Sequence, residues 1–311
     1  MFGRKKWDPQ GKHCYVTGGS SGAGLALAIL LTRKGAHVSI VARDEEKLQK
    51  ALQDLESARQ NPKQILNYYS YNLHSAGGSK AALDAACVLH GGKAPSAVFT
   101  CAGVSKPGFF VEQSERMLID GMANAYWIQA WTALAATQKM VQDRIQGKIV
   151  FVGSTLSLMS MIGYSSYSPG KHAIRGLAEG LRSELILYGI DVHCFFPCTI
   201  YSPGYEEENK TKPKITMKLE EADAGLTPEQ VAIGILKGVQ NGLHQSAVDL
   251  ITNIFRSSSR GTSPSNNFLK DVLFDILSWI AIPIWRRSLD RSVRGHRQEH
   301  EEYLVAQGFY T

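Results

Sequence analysis

Tyr167 and Lys171 stand four residues apart in STLSLMSMIGYSSYSPGK, residues 154–171, and on a helix that spacing puts a phenol and an ammonium on one face. An ammonium beside a phenol favours phenolate and draws a reference pKa of about 10 toward neutral pH. The pair can then move a proton to or from a substrate oxygen. Ser154 supplies a neutral hydroxyl donor of the kind that stabilises charge developing on such an oxygen. The same spacing also arises on exposed helices without any chemistry, so its meaning depends on what surrounds it.

A second stretch, YVTGGSSGAG at residues 15–24, ends an apolar run in glycines and small hydroxyls. Gly18, Gly22 and Gly24 open the helix-forming LALAILLTRKG and leave its first amides bare, as a pyrophosphate requires. Tight strand-to-helix turns use glycine for backbone reasons as well. Further on, VSIVARDEEKL places Arg43 and Lys47 where a nucleotide-binding domain reads the ribose 2′ position. Asp44 can instead accept from a free 2′-hydroxyl, which would mean NAD. Arg43 comes first after the strand, which favours NADP, while Asp44 and Glu45 also suit an ordinary helix start.

These residues need a scaffold, and the chain supplies a repeating one. The runs HCYVTG, HVSIVA, ILNYYSYNL, SAVFTCAG, GKIVFVGS and DVHCFF are nearly continuous apolar strands, each followed by a helix-rich segment. That rhythm predicts an α/β fold, a doubly wound parallel sheet with helices on both faces. Both constellations then fall at the carboxyl edge of the sheet, where such folds bind ligands. Residues 201–226 are polar, charged and without apolar period, which predicts a mobile lid. Thr227 and Pro228 follow as helix cap and first helical residue.

TGGSSGAG, the CAG at 101–103 in place of Asn-Ala-Gly, and the set Ser154, Tyr167 and Lys171 together resemble the short-chain dehydrogenase/reductase family from about Lys12 to Leu250. GGSSG, ARDEEKL, IRGLAEGL and above all SPGYEEENKTKP resemble its members that reduce a sphingoid-base ketone. The resemblance implies a Rossmann-type fold, NADPH as cofactor, and reduction of the C3 ketone of a long-chain amino-ketone lipid in sphingolipid synthesis. It further implies the cytosolic side of the endoplasmic reticulum membrane. Tyr167 would be the proton donor, Lys171 would bind ribose and tune Tyr167, and Ser154 would hold the carbonyl oxygen. Gly18, Ser20, Ser21, Gly22, Arg43 and Lys47 would hold cofactor phosphates, Asn72 and Leu73 would meet adenine, and Pro197, Ile200 and Ser202 would meet nicotinamide and diphosphate. Ala102 and Gly103 belong to the same cofactor surface. An asparagine that completes a proton relay is expected near MANAYW, either at Asn124 or, if Tyr126 and Trp127 set the register, at the position held by Ala125. The family's YSASK is here YSPGK, so the catalytic helix is expected to start near Ser165 or Ser166, with a loose turn at Gly170.

Several classes are excluded or disfavoured by composition. The 311 residues are 44% hydrophobic and 20% charged, enough for one large domain or two small ones. The five cysteines are odd in number and scattered, which predicts reduced thiols and no metal site. The net charge of +6 comes without a nucleic-acid motif. The basic N-terminus lacks the apolar stretch of a secretory signal. Residues 1–250 are read as the catalytic domain and 251–311 as a membrane-associating or oligomerisation tail. In that tail, Lys270, Asp271 and Asp275 interrupt an apolar run, and Asp271, Asp275 and Ser278 share one helical face, which predicts a helix lying in a membrane interface with Trp279, Ile280, Ile282 and Trp285 buried in lipid. Arginines 286, 287, 291, 294 and 297 follow, suited to anionic headgroups. Deleting the tail is expected to leave the nucleotide fold intact, and His296 and His300 within it are read as surface residues. A homodimer or homotetramer paired through the helices flanking the fifth strand is expected from the resemblance. Two alternatives stand beside the lipid-ketone reductase: a reductase of other hydrophobic ketones such as steroids or retinoids, and a cofactor-binding scaffold without turnover.

Overall fold

A computed structural model describes residues 6–221 and 224–309. Seven parallel strands form one sheet in the order β3-β2-β1-β4-β5-β6-β7. They are β1 (His13–Thr17), β2 (His37–Ala42), β3 (Leu66–Ser70), β4 (Ala97–Thr100), β5 (Lys148–Val152), β6 (Asp191–Phe195) and β7 (Gln245–Ser246). The six apolar runs are the first six strands. The seventh, two residues long and polar, carries no sequence signal.

Helices cover both faces because the strands are apolar on both sides. On one face α1 (Gly22–Arg33), α2 (Glu45–Ser57) and α9 (Pro228–Gln240) enclose Val16, Ile40, Phe99 and Phe195. On the other, α3 (Ala76–Val88), α5 (Ile128–Gln142) and α6 (Ser168–Glu184) pack on Tyr15, Val98, Phe151 and Cys194. A helix α4 (Glu115–Met122) runs into α5 through a π-helical turn, Ala123–Trp127. Strand order reverses between β1 and β4, so a crevice opens beyond their carboxyl ends. All five cysteines are free.

The expected lid is folded rather than irregular: α7 (Pro203–Asn209) and α8 (Lys214–Glu220) span most of residues 201–221, with residues 222–223 outside the described part. Ile215 and Thr216 are buried, and Thr216 Oγ1 donates to the Ile162 carbonyl at 3.0 Å. Composition hid this anchoring because most of the segment is charged. Thr227 caps α9 as expected, in a reciprocal pair with Gln230, and Pro228 is within the first turn.

Three more helices follow, α10 (Leu250–Ser258), α11 (Phe268–Gly295) and α12 (Arg297–Ala306). Of the four side chains expected in lipid, Trp279 and Ile280 face out, whereas Ile282 and Trp285 face the domain. The polar stripe of α11 faces the domain: Asp271 lies 2.6 Å from Arg256 of α10, Ser257 Oγ donates to Asp275, and Ser278 is buried. The apolar stripe faces out, with Phe268, Leu269, Ile276 and Ile280 exposed and Trp279 83% exposed. Ile282 and Trp285 turn inward onto the core, Trp285 against Phe255 at 5.3 Å. Periodicity identifies the two faces of a helix but not which one meets the protein. Arg256 prefers Asp271 because a buried cation requires a partner. The tail is therefore part of the domain's packing, and deleting it would leave Arg256 buried without its carboxylate.

Candidate active site

The glycine turn is shaped by backbone geometry rather than by side chains. Gly18 has φ +66°, and a Cβ there would lie 2.9 Å from the Ala102 backbone, so the turn and the CAG segment touch only because Gly18 has no side chain. A Cβ on Gly24 would collide with the Gly18 carbonyl, and one on Gly22 would sit 3.4 Å from Ser202 Cβ. Thr17 Oγ1 accepts from the Ala102 amide at 3.2 Å. At the start of α1, Ser21 makes no side-chain cap and no acidic residue lies in the first turn. The bare amides and the positive end of the helix dipole therefore face the crevice. A dinucleotide pyrophosphate fits this cradle, with Gly18, Gly22, Ala102, Gly103 and Ser202 around it.

At the edge of the cradle, Arg43 is exposed and its side chain makes no bond among the described residues. Lys47 is engaged on the surface with Asp44, 3.5 Å away, and Asp44 caps α2 by accepting from the Lys47 amide. The helix-start reading of Asp44 thus holds. Leu73 is buried, and Asn72 accepts from the amide of His74. Pro197 accepts from the Thr155 amide, and Ile200 bridges Leu226.

The catalytic candidates meet where β5 ends. Ser154 caps a short 3₁₀ turn: its Oγ accepts from the Leu156 amide at 3.1 Å, while buried Ser157 accepts from the Ser154 amide. With its oxygen so occupied, the Ser154 O–H is left to donate outward. Tyr167 is the cap of α6, which starts at Ser168, two to three residues later than expected. Pro169 falls in the first turn, where its missing amide costs nothing. Gly170 is tight, not loose: a Cβ there would lie 2.6 Å from Ala125 Cβ, so glycine allows α6 to close on the π turn.

Lys171 is buried, donates to the Val152 carbonyl at 2.8 Å, and has Nζ 5.5 Å from the centre of the Tyr167 ring. Burial lowers its pKa to about 8. Tyr167 moves the other way from expectation: burial first, then the Glu208 charge, raise its pKa. The phenol is consequently held in its protonated form here. Cys101 is similarly inert, its thiol pushed up to about 12 by burial.

Asn124 does not reach this cluster through its side chain. Its Oδ1 meets His74 Nε2 at 3.0 Å and its Nδ2 donates to the Asp120 carbonyl, whereas Ala125 faces α6. The Asn124 backbone carbonyl would lie 3.0 Å from a Cβ on Gly103, so the residue borders the site with its main chain. Sequence reasoning missed Gln129. It is fully buried, accepts from Thr100 Oγ1 at 2.8 Å and donates to the same Val152 carbonyl at 2.9 Å. A glutamine in the Ala-rich buried face of α5 is the signal that marks it.

The lid closes this arrangement with charges. Tyr164, three residues before Tyr167, contacts Glu208 and Glu220 at 2.6 Å each, and buried Lys212 pairs with both carboxylates. Outside the lid, a cleft of about 590 Å³ runs between Phe109, Lys210 to Lys214 and α12. The His300 ring lies tilted against Phe109, with centroids 4.1 Å apart, and Tyr303 bonds Glu112, so α12 forms a wall of the cleft. No group among the described residues is arranged to hold a metal ion.

A model of the short chain dehydrogenase family matches residues 12–213. A 3-ketodihydrosphingosine reductase of Cryptococcus neoformans is 46% identical over 310 residues, covering 100% of this chain and 92% of that protein. Proteins of the same name from Dictyostelium discoideum and Mus musculus are 33% and 34% identical, over 85% and 82% of this chain and 82% and 76% of theirs. Among solved structures, a short-chain type dehydrogenase/reductase from Mycobacterium ulcerans superposes with a TM-score of 0.68 at 21% identity, covering 78% of this chain and 89% of that one.

Proposed function

The chain belongs to the short-chain dehydrogenase/reductase family, whose fold implies a nicotinamide cofactor, and we propose that it uses NADPH to reduce the C3 ketone of 3-ketodihydrosphingosine to the alcohol. The observation that carries this reading is the 46% identity over the whole chain, lid and tail included, to a reductase of that name. The exposed, unpaired Arg43 supports NADPH over NADH.

When bound, reduced nicotinamide supplies a hydride to the carbonyl carbon. Ser154 donates its O–H to the substrate oxygen as charge builds there. Tyr167, held protonated by burial and by Glu208, donates its proton to that oxygen, which balances the hydride and leaves phenolate. Lys171, at 5.5 Å from the ring centre, then stabilises the phenolate until a proton returns. The lid excludes water and strengthens each of these interactions.

The test is NADPH oxidation with 3-ketodihydrosphingosine, with the product identified. Tyr167→Phe should bind cofactor yet lose turnover by about 10²- to 10⁴-fold. Turnover confined to steroid or retinoid ketones would replace the substrate, and no turnover with any ketone would leave a scaffold.

The outward apolar stripe of α11 supports docking on a lipid surface, here assigned to the cytosolic side of the endoplasmic reticulum. No helix among the described residues is long and apolar enough to cross a membrane. Trp279 and Ile280 enter the interface while exposed Arg287, Arg291 and Arg294 meet anionic headgroups. Trp279→Asp with Ile280→Asp should abolish sedimentation with anionic vesicles and leave NADPH affinity intact. Unchanged sedimentation would remove α11 as the anchor. Pairing of two or four copies through α5 and α6 is supported by exposed Trp127 and Leu134 on the α5 side, and sedimentation equilibrium tests it.

A further inference from the structure

Glu208 has a role left over once the reduction is assigned. It lies in α7, and its Oε1 is 2.6 Å from Tyr164 Oη and 3.1 Å from Lys212 Nζ. Glu220 meets the same two partners but spends both oxygens on them, Oε1 on Tyr164 and Oε2 on Lys212, each at 2.6 Å. The two carboxylates are therefore unequal. Glu220 is saturated and its side chain 10% exposed, whereas Glu208 is 19% exposed and its Oε2 makes no bond among the described residues.

The charges are unequal too. Lys212, with its side chain 1% exposed, lies 4.6 Å from the Tyr205 ring centre and 5.9 Å from that of Tyr164, and is the cation that pairs with both glutamates. With Tyr164 neutral, the group carries a net charge of about −1 in a mostly dry place, a situation that calls for another cation. Glu208 is bonded to Tyr164, whose ring centre is 6.3 Å from that of Tyr167, and after burial its negative charge adds to what keeps the Tyr167 phenol protonated. A cation attached beside the carbonyl that Tyr167 protonates would come within reach of it.

We propose that Glu208 is a specificity-determining residue that receives, on Oε2, an ammonium carried by the carbon next to the reacting ketone. This rests on the amino-ketone reading above and gives it a chemical reason. A long-chain ketone without the amine fills the same apolar space but leaves Glu208 uncompensated. Lys212 and Glu220 hold Glu208 in place, with Tyr164 linking the carboxylates to the segment that carries Tyr167.

The experiment compares kcat/KM of the NADPH-bound enzyme for 3-ketodihydrosphingosine and for 1-hydroxyoctadecan-3-one, which lacks only the amine. The readout is the ratio of the two. Glu208→Gln keeps the shape and the Tyr164 contact, and should lower the ratio about 10- to 100-fold, mainly through KM of the amino ketone. Glu207→Gln, on the same helix but pairing with Lys210 at the surface, should leave the ratio unchanged. A ratio unaffected by Glu208→Gln, or affected equally by Glu207→Gln, overturns the proposal. If Glu208→Gln does not fold, product inhibition of the native enzyme reads the same preference. Dihydrosphingosine should inhibit at least tenfold more tightly than octadecane-1,3-diol, and equal inhibition overturns the assignment. Native enzyme that reduces 1-hydroxyoctadecan-3-one but not the amino ketone would instead refute the reaction itself, an outcome visible before any variant is made.

Discussion

Replacing Asp271 with alanine distinguishes a tail packed by its polar face from one that floats on it. Asp271 is 1% exposed and Arg256 2% exposed, and they meet at 2.6 Å. The other Asp271 oxygen accepts from Ser265 Oγ and the Asn266 amide. Burial opposes its charge, yet the Arg256 and Ser265 bonds outweigh burial and hold its pKa below the ordinary carboxylate value. Asp271→Ala leaves a guanidinium buried with Asn253 Oδ1 at 3.2 Å as its remaining strong acceptor. Breaking one side of such a pair costs about 3–5 kcal/mol. For a chain of this size that is a fall of about 5–8 °C in melting temperature. Differential scanning calorimetry measures it, with Asp290→Ala as the control. Asp290 pairs with Arg286 at the surface, and its loss should cost at most about 1 kcal/mol. If Asp271→Ala melts with the native protein, the polar stripe of α11 faces water and the assignment of its two faces is wrong.

Arg43→Ala should weaken NADPH by about 10- to 100-fold and NADH hardly at all, since a charge-assisted phosphate contact is worth about 1.5–3 kcal/mol; equilibrium titration of both cofactors checks this. Acid should destabilise the fold in a defined window. Burial lowers His193 and His90 to about 4 and His13 well below 6.5, with the charges of its neighbours adding to the effect at His13 and His90. The unfolded chain binds more protons between those values, so stability is full above pH 6.5 and falls as pH drops toward 4, by about 3 kcal/mol for His193 alone. Urea midpoints from pH 7.5 to 4 test the sign, and His193→Gln should flatten the curve.

What the sequence made legible follows from which signals are local. Continuous apolar runs between glycine turns announced six strands, because a parallel sheet buried on both faces demands them. The glycine turn was legible for a related local reason: Gly18 holds a φ of +66° and Gly24 packs on the nearby Gly18 carbonyl, whereas the contact of Gly18 with Ala102 is long-range. Gln245 and Ser246 gave no sign of a strand, since two polar residues have no period. Lys212 was invisible as a buried residue because its partners, Glu208 and Glu220, become partners only once α7 and α8 fold back on Tyr164. The faces of α11 were visible as faces, but their direction depended on Arg256 in another helix. Asn124 was ambiguous by one position because a π turn shifts the side chains of the helix around it.

The Val152 carbonyl accepts from both Gln129 and Lys171. An amide oxygen has two lone pairs, and these two donors fill them. If the lysine turns away toward a ribose hydroxyl, the glutamine stays, and the oxygen is not stranded in an apolar interior. The move then exchanges one hydrogen bond for another, worth about 1 kcal/mol net, instead of the 1–3 kcal/mol of leaving a buried polar atom bare. The carbonyl is thus a berth that the ammonium can leave without stranding it, because Gln129 keeps it bonded.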